Sequence, residues 1–516
     1  MRDLFRLETR ALTVAFWSAV AAFVAAFWLA RFPPLIDYPQ HVAVAAMLRR
    51  LADPASPERA LFEVDLVTYN GGFHLLVAAL SFLVSPETAG KLVISMYPPL
   101  LGLAALELCR IAGRPRWYAL LVLPITFSFA VGWGFANYFV SVPIALLAFG
   151  WWLRWWRGEP GMLPRLAAVA FVLAYSHVLV TLCLCVCVGV AALASWPSLG
   201  ATWGARLRGL LRAPWPLWPA FVWCITVFVH NRRSSHANWE GWDDGLDDPL
   251  WYKLLHATAF AVGNFSDYTD QAILAAALVA LVALYQARER RAGAHVVLGA
   301  LAVTWAALYC VVPKVFIATW FIFERFPTWA LVFAVAAAPL VGEATLRRVR
   351  PIAAALALAA GLNTAWHLAH LPDQRDADAI LDDIPEGARV VAVTWSTRGE
   401  PVVLRESWVH LLAYYQARRR GLIGYSFLKF ESMPVHYRPE ARPPQVAGGL
   451  EWDARKYDVD SDYARWFPTV LVRTPDDHPA DDPRLVTFGE RAGDARLLSH
   501  RGRFWLFDAS AATASR

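Results

Sequence analysis

Long apolar runs separated by short polar segments occupy roughly the first 370 residues of the chain. The first run covers about residues 11–30, and about 20 apolar residues are enough to span a membrane as a helix. Similar runs follow at about 89–108, 117–133, 137–153, 166–179, 181–196, 214–230, 271–286, 294–312, 327–344 and 351–369. A run at 73–84 is too short for a comfortable span and predicts a helix that dips into the membrane. The pattern predicts an α-helical polytopic membrane protein with about 11 transmembrane helices.

Arginines mark the segments between these runs. If the N-terminus lies inside and the spans alternate, every inside segment carries three arginines, as the positive-inside rule expects. They are Arg2, Arg6, Arg10, Arg110, Arg114, Arg116, Arg154, Arg157, Arg165, Arg206, Arg208, Arg212, Arg288, Arg290, Arg291, Arg347, Arg348 and Arg350. The count fails if 73–84 is a full span, or if 166–196 is one long tilted helix instead of a hairpin. The charges therefore predict a cytoplasmic N-terminus, outer loops at about 32–88 and 231–270, and an outward-facing C-terminal region.

Composition agrees with a membrane protein. Hydrophobic residues make up 57% of the 516 residues and the mean hydropathy is +0.38, whereas soluble domains are about 45–50% apolar. The net charge of +6 comes from the basic clusters between the runs, so it indicates topology rather than nucleic-acid binding. The six cysteines lie in or at the ends of apolar runs, which favours buried apolar positions over a metal site.

From about residue 372 the pattern changes to short elements of two kinds. IPEGARVVAVTW predicts a turn and a strand, PTVLVRT a second strand, and RLLSHRGRFWLFD a terminal hairpin. ESWVHLLAYYQARRRG has helical spacing and a stopping glycine at Gly421. We therefore expect a transmembrane domain over residues 1–370 and a soluble, extracytoplasmic α/β domain over 371–516.

One acidic residue stands out directly after the first predicted span. In PPLIDYPQH, residues 33–41, Asp37 is isolated between apolar Ile36 and aromatic Tyr38. Pro39 favours the first turn of a helix, which we predict from there to about residue 53. Because Asp is also a favoured residue at a helix N-cap, capping is the plain alternative to a functional role for Asp37.

This order of elements resembles the GT-C superfamily of integral membrane glycosyltransferases. A first span is followed by an outer loop that opens with an acid, then by a membrane-dipping helix and by paired spans with basic inside turns. A second large outer loop at about 231–270 and a soluble outer C-terminal domain also match. The resemblance covers the architecture of residues 1–370. It implies a sugar donor linked to polyprenyl phosphate, used at the outer face of the membrane, with Asp37 in the place of the catalytic acid.

Many members of the superfamily carry two acids adjacent or nearly so in the first outer loop. Asp37 has no acidic neighbour, and the next acid along the chain is Asp53. The sequence therefore indicates no definite cofactor, and it leaves open whether the site binds a divalent cation.

Transfer from a phospho-linked sugar makes few chemical demands. The leaving phosphate is a stable anion that needs a cation but no proton, and the acceptor hydroxyl needs one general base, which Asp37 can supply. Arg325 in FERFP is the first candidate for the phosphate, because a guanidinium binds phosphate through two parallel hydrogen bonds. An ion pair with Glu324 or an interfacial position is its alternative. Arg232 and Lys314 are the next candidates.

Other polar residues are candidates for substrate binding. His41 could orient Asp37 or contact phosphate, with an ordinary exposed or core histidine as the alternative, and Asn137 lies at an outer turn. Trp242 and Asp243 could stack on a sugar and bond to it, although a belt of interfacial tryptophans explains such residues equally well. His177 is the ionisable group that lies well inside a predicted span, where a histidine bonded to a nearby carbonyl is the alternative to a functional group.

The sequence thus predicts a glycosyltransferase of a bacterial-type plasma membrane. It would move a sugar from a lipid-linked donor to a hydroxyl of a glycan, lipid or protein on the outer face, with no nucleic-acid partner. A transporter or a non-catalytic scaffold for envelope assembly is the alternative. A transporter should carry charges or broken helices near the membrane midplane, whereas the polar residues of this chain crowd its outer loops.

Overall fold

The fold is known from a computed structural model, which describes residues 6–233, 247–287, 290–293, 295–316, 319–395, 402–430, 432–474 and 495–510. In these ranges the α-helices are α1 (Arg10–Leu29), α2 (Tyr38–Leu51), α3 (Gly71–Leu80), α4 (Pro86–Ile94), α5 (Tyr97–Ile111), α6 (Phe129–Trp133), α7 (Ala136–Trp156), α8 (Met162–Ser176), α9 (Val178–Ala194), α10 (Trp203–Arg212), α11 (Trp218–Arg233), α12 (Leu250–Leu255), α13 (Ala257–Val262), α14 (Thr269–Gln286), α15 (Val296–Val311), α16 (Pro327–Ala337), α17 (Glu343–Ala369), α18 (Gln374–Asp383), α19 (Leu412–Arg419) and α20 (Asp462–Trp466). The strands are β1 (Phe62–Val64), β2 (Arg290–Ala292), β3 (Val315–Phe316), β4 (Thr319–Trp320), β5 (Leu340–Val341), β6 (Arg389–Thr394), β7 (Leu422–Ile423), β8 (Val435–Tyr437), β9 (Thr469–Arg473), β10 (Arg496–Arg501) and β11 (Phe504–Asp508).

Two compact units divide the chain. The helical unit comprises Met1–Phe27, Tyr69–Gly72 and Ile94–Trp366. The α/β unit comprises Trp28–Thr68, Phe73–Val93 and His367–Arg516. The second unit therefore contains the C-terminal region together with most of the first predicted outer loop.

Several of the predicted spans appear as long helices. Among the described residues, five helices are long and apolar enough to cross a membrane, namely Arg10–Leu29, Pro86–Ile111, Ala136–Trp156, Thr269–Gln286 and Glu343–Ala369. Apolar helices of 10–17 residues accompany them at Gly71–Leu80, Arg116–Ile125, Met162–Ser176, Val178–Ala194 and Val296–Val311. These elements confirm the α-helical polytopic class, while the total of about 11 spans stays a prediction.

Prolines explain where the helices depart from the predicted spans. The run at 117–133 forms a 3₁₀ helix over Arg116–Ile125 and then the short α6, and Pro124, which cannot donate a helical hydrogen bond, stands where the first of these ends. The run at 327–344 ends as a helix at Ala337, since Pro339 disfavours the helical conformation at Ala338, whose ψ is 144°.

The long apolar stretch 166–196 is divided at His177. This residue has extended backbone angles, φ −165° and ψ 112°, and it separates α8 from α9. The break confirms the prediction of two helices over one long tilted helix.

The α/β unit is built on a five-stranded sheet with the order β10–β11–β9–β6–β7. The strand β6 runs parallel to both β7 and β9, and β11 runs antiparallel to β9 and β10. Alternating apolar residues of β6 and β9, such as Val391 and Val470, enter a common core. The strands β6 and β9 and the terminal hairpin are those that the sequence predicts.

The first outer loop contributes to this same core. Helix α2 buries Val44, Met47 and Leu51 among the core residues of the sheet, and strand β1 pairs antiparallel with β8. The helix that begins beside Asp37 is thereby fixed against the C-terminal region within one compact unit.

Candidate functional site

Asp37 occupies the N-cap position of α2 but does not act as a cap. Its backbone angles are helical, φ −85° and ψ −12°, and its side chain accepts no hydrogen bond from the first turn. Pro39 stands at the start of α2, where its missing N–H costs nothing because the first N–H groups of a helix have no internal partner. The Asp37 carboxylate therefore does not cap α2.

The carboxylate instead faces an imidazole from the C-terminal region. Oδ1 of Asp37 lies 3.4 Å from Nε2 of His410, and the side chains are 16% and 3% exposed, respectively. Asp37 is thus the more accessible member of this pair, and His410 is the buried one. At this distance the two groups lie within ion-pair range, which places Nε2 beside one oxygen of the carboxylate.

Packing fixes His410 in the turn before α19. Its ring lies parallel to that of Tyr425, with centroids 5.0 Å apart and an interplanar angle of 6°. The rings of Phe427 and Trp452 meet it edge-on, at 6.1 and 6.4 Å. A histidine enclosed in this way has little rotational freedom, so it can hold Asp37 in one orientation.

His41 lies one turn further along α2 and contacts a second histidine. Its Nδ1 is 3.0 Å from Nε2 of His74, and both side chains are buried. The ring of Phe73 packs edge-on against His41 at 6.0 Å. Sequence reasoning proposed His41 as the imidazole that orients Asp37 and missed His410, which is brought to Asp37 only by the tertiary fold.

The other described candidates belong to the helical unit. Arg325 is 5% exposed, and its Nε and Nη2 donate to the carbonyl oxygens of Phe321 and Trp320, both at 3.1 Å. Its guanidinium lies 3.9 Å from the ring centroid of Phe135 and 5.1 Å from that of Tyr138. These contacts hold Arg325 firmly in place, and its role toward phosphate stays a prediction.

An ion pair between Glu324 and Arg325, the alternative to a phosphate-binding role for Arg325, is not formed within the described part of the chain. It is buried, and neither carboxylate oxygen has a hydrogen-bond partner among the described residues. Burial raises the pKa of Glu324 to about 8, against smaller opposing effects that include the charges of Lys314 and Arg325. Burial therefore favours the protonated form of this carboxyl near neutral pH.

Acidic residues of the second outer loop engage the lysines of the helical unit. Lys314 donates to Asp248 at 3.4 Å, and its backbone N–H donates to Asp247 at 3.1 Å. The fully buried Lys253, which sequence reasoning did not select, lies 2.7 Å from Asp247 and donates to the carbonyl of Val312 at 2.8 Å. These pairs hold the described segment that begins at Asp247.

Four further candidates for substrate binding remain, and two of them lie among the described residues. Asn137 is buried at the start of α7, and Arg232 lies in the last turn of α11. Trp242 and Asp243 lie outside the described residues. Over the ranges that the structure describes, no group of three or more His, Cys, Asp or Glu side chains is arranged to hold a metal ion.

The fold of the whole chain is similar to that of solved structures of one other protein, ArnT. ArnT from Cupriavidus metallidurans bound to undecaprenyl phosphate is similar, with a TM-score of 0.56, 11% identity, and coverage of 97% of this chain and 98% of that chain. The apo state of the same ArnT matches with a TM-score of 0.56, 12% identity, and coverage of 98% and 99%. No protein-family model and no curated protein matches the chain. Identities this low show the fold, and they confirm the predicted resemblance in architecture.

Proposed function

We propose that the chain is a glycosyltransferase that moves a sugar from a polyprenyl-phosphate carrier to an acceptor hydroxyl on the outer face of a bacterial-type plasma membrane. Asp37 is the general base. The observation that carries this proposal is that Asp37 neither caps α2 nor forms an ion pair with Arg or Lys in the described residues, but is held by the buried His410.

The proposed step needs few groups. Asp37 accepts the proton of the acceptor hydroxyl while the hydroxyl oxygen forms a bond to the anomeric carbon of the donor sugar. The bond from that carbon to the phosphate oxygen breaks, and its electron pair stays on the polyprenyl phosphate. This anion leaves without a proton but is stabilised by cations. Arg325, with Lys314 and Arg232 as further candidates, is the proposed source of that charge.

The fold supports a lipid-linked donor over the alternatives. One structural neighbour holds undecaprenyl phosphate, and the likeness to that neighbour extends over nearly the whole of both chains. A partly accessible carboxylate beside a buried imidazole suits a general base, which favours catalysis over a transporter or a non-catalytic scaffold. The contact between Asp37 and His410 is therefore the reason that we prefer a catalytic role for this chain.

Replacement of Asp37 by Asn tests the proposal. General-base loss typically lowers the rate about 10²–10⁴-fold, whereas the fold should persist because the side chain does not cap α2. The measurement is transfer of labelled sugar from a polyprenyl-phosphate donor by purified protein in lipid. Asp53→Asn is the matched control, since Asp53 is an exposed aspartate just beyond the other end of α2. Transfer by Asp37→Asn at the parental rate would contradict the assignment.

A further inference from the structure

Helix α10 carries a row of large apolar side chains on an exposed face. Trp203, Leu207 and Leu211 follow one another at intervals of four residues, so they share one face of the helix. Trp203 is 76% exposed and Leu211 is 69% exposed, and every residue of α10 is at least partly accessible. The apolar row therefore lies outside the core of the helical unit.

Arginines form a second row beside the apolar one. Arg208 and Arg212 each follow a leucine of the apolar row by one position, lie one turn apart and are both exposed. Thr202 caps the helix, because its hydroxyl accepts from the N–H of Ala205 at 3.3 Å. Arg212 stands in the last turn, where the helix dipole favours a cation. The helix α10 is thus amphipathic, with a basic row next to an exposed apolar row.

The arginines of α10 have no acidic partner within the part of the chain that the structure describes. Arg206 donates from Nε to the carbonyl of Gly200 at 2.8 Å, and the guanidinium of Arg212 lies 4.8 Å from the ring centroid of Trp155. The sequence contains no Asp or Glu from residue 160 to residue 239. The positive charge of this segment is therefore left for an anion from outside the chain.

Arginines of two other predicted inside segments are paired with acids of the chain itself. Arg110 lies 2.7 Å from Glu107, and Arg154 lies 2.7 Å from Glu159. These ion pairs offset part of the basic charge of their segments. Since α10 lacks such pairs, its arginines are better placed to attract an external anion.

Short connections hold α10 close to the membrane. Residues 195–202 join it to α9 and residues 213–217 join it to α11, and both of these helices belong to predicted spans. Trp215 and Trp218, which follow α10, are 60% and 52% exposed. Tryptophans are enriched where a membrane meets water, so these positions indicate that α10 lies at the same level.

We propose that α10 lies in the plane of the inner membrane surface and binds the headgroups of anionic phospholipids. Its apolar row enters the boundary between headgroups and acyl chains, while Arg208 and Arg212 contact lipid phosphates. The complementary charge and the apolar row beside it favour a lipid surface over an acidic protein, since the neighbouring helices already place α10 at that surface. This inference does not depend on the glycosyltransferase proposal.

The depth of α10 in the membrane can be measured on the full chain. Single nitroxide labels are attached at Leu207→Cys and Leu211→Cys in a background without the native cysteines, in nanodiscs of phosphatidylcholine and phosphatidylglycerol. Both labels should be more accessible to oxygen than to a water-soluble nickel chelate, because the apolar row lies in the membrane. A label at Glu159→Cys, an exposed position in another predicted inside segment, should show the reverse. Accessibility typical of water at both leucine positions would overturn the proposal and indicate another occupant.

The preference for anionic lipid is tested separately, with spin-labelled phosphatidylglycerol and phosphatidylcholine as probes. The double variant Arg208→Gln/Arg212→Gln should lower the selectivity for phosphatidylglycerol about 2-fold or more, because each basic residue near an anionic surface contributes about 1 kcal/mol. About 1 M salt, where the Debye length is about 3 Å, should lower the selectivity of the parent in the same way.

Two exposed arginines of the α/β unit supply the matched control. Arg455 and Arg465 have side chains that are 85% and 51% exposed, and Arg455→Gln/Arg465→Gln removes the same charge as the α10 variant. This control should keep the parental selectivity for phosphatidylglycerol. Unchanged selectivity in folded Arg208→Gln/Arg212→Gln, or an equal loss in both double variants, would overturn the assignment of an anionic-lipid site to α10.

Discussion

At the scale of single residues, the pair of Asp37 and His410 decides how the chain is interpreted. An isolated acid at the start of a helix is ambiguous in a sequence, because Asp both caps helices and serves as a base. The structure argues against the capping role, because the Asp37 side chain makes no hydrogen bond to the first turn of α2 and lies 3.4 Å from a buried imidazole.

His410 acts through Asp37 in our proposal, so it is a positioning residue. We expect His410→Ala to lower the turnover number of transfer about 10- to 100-fold with little change in the donor KM, because a misplaced base is costly. His410→Gln should recover much of this loss, since its amide nitrogen can take the place of Nε2. In the Asp37→Asn background, His410→Ala should cause no further loss.

A second histidine of the α/β unit supplies the control for that experiment. His436 also faces an acid, with its Nε2 3.0 Å from Oε1 of Glu63. His436→Ala should leave the turnover number of folded protein near the parental value. Equal and additive losses from His410→Ala in both backgrounds would mean that His410 supports only the fold.

Sequence reasoning located Asp37 but could not identify His410 as its neighbour. Asp37 was recognisable because its position relative to the first span follows from local hydrophobicity and charge. His410 lies in a stretch with helical spacing, and the structure begins α19 only at Leu412. Nothing in the local pattern distinguishes His410 from an ordinary core histidine, because its role depends on contacts between segments that are distant along the chain.

At the scale of elements, an ion network joins several segments of the α/β unit. Glu87 near the start of α4 accepts from Arg31, 2.8 Å from its Nη1, and from both Nε and Nη2 of Arg418 in α19. Asp378 in α18 bonds to the same two arginines, at 2.8 Å from Arg418 and 3.3 Å from Arg31. Both guanidinium groups also lie over the ring of Phe32, at 5.3 and 5.4 Å from its centroid. Because Arg418 belongs to α19, the network fixes this helix, which begins two residues after His410.

Glu87→Gln should therefore weaken both the unit and the site. The variant leaves two guanidinium groups without a buried carboxylate, and hydrogen bonds to charged groups are worth about 1.5–3 kcal/mol each. We expect a lower thermal midpoint, measured by protease resistance of the C-terminal region, and reduced transfer. Arg455→Gln breaks an ion pair whose arginine side chain is 85% exposed, and it should change the midpoint little. A Glu87→Gln protein as resistant as the parent would show that the network is dispensable.

Elements were predictable where one local rule dominates. Strands β6 and β9 follow from short β-branched runs, and the helix from Asp37 follows from its apolar spacing and Pro39. The run at 117–133 does not form the continuous helix that its hydrophobicity predicts, and it is interrupted just after Pro124. The pairing of β1 with β8 could not be predicted, since it joins a three-residue strand to a distant one.

At the scale of the whole molecule, the grouping of segments differs from their order along the chain. The first predicted outer loop contributes α2 and β1 to the same compact unit as the C-terminal sheet. This grouping agrees with the charge pattern, which puts both regions on one side of the membrane. A chain in which the two regions lay on opposite sides could not form the core that contains Val44 and Val470.

Site-specific labelling tests the side on which these regions lie. In a background without the six native cysteines, a membrane-impermeant maleimide applied to intact cells should label Ala55→Cys and Glu440→Cys, which are exposed positions of the α/β unit. It should not label Glu159→Cys or Ala201→Cys, which are exposed positions in segments that the arginine distribution places inside. All four should be labelled after permeabilisation, which serves as the control for reactivity. Labelling of Glu159→Cys in intact cells would reverse the orientation, place Asp37 in the cytoplasm, and remove the outer-face transfer that we propose.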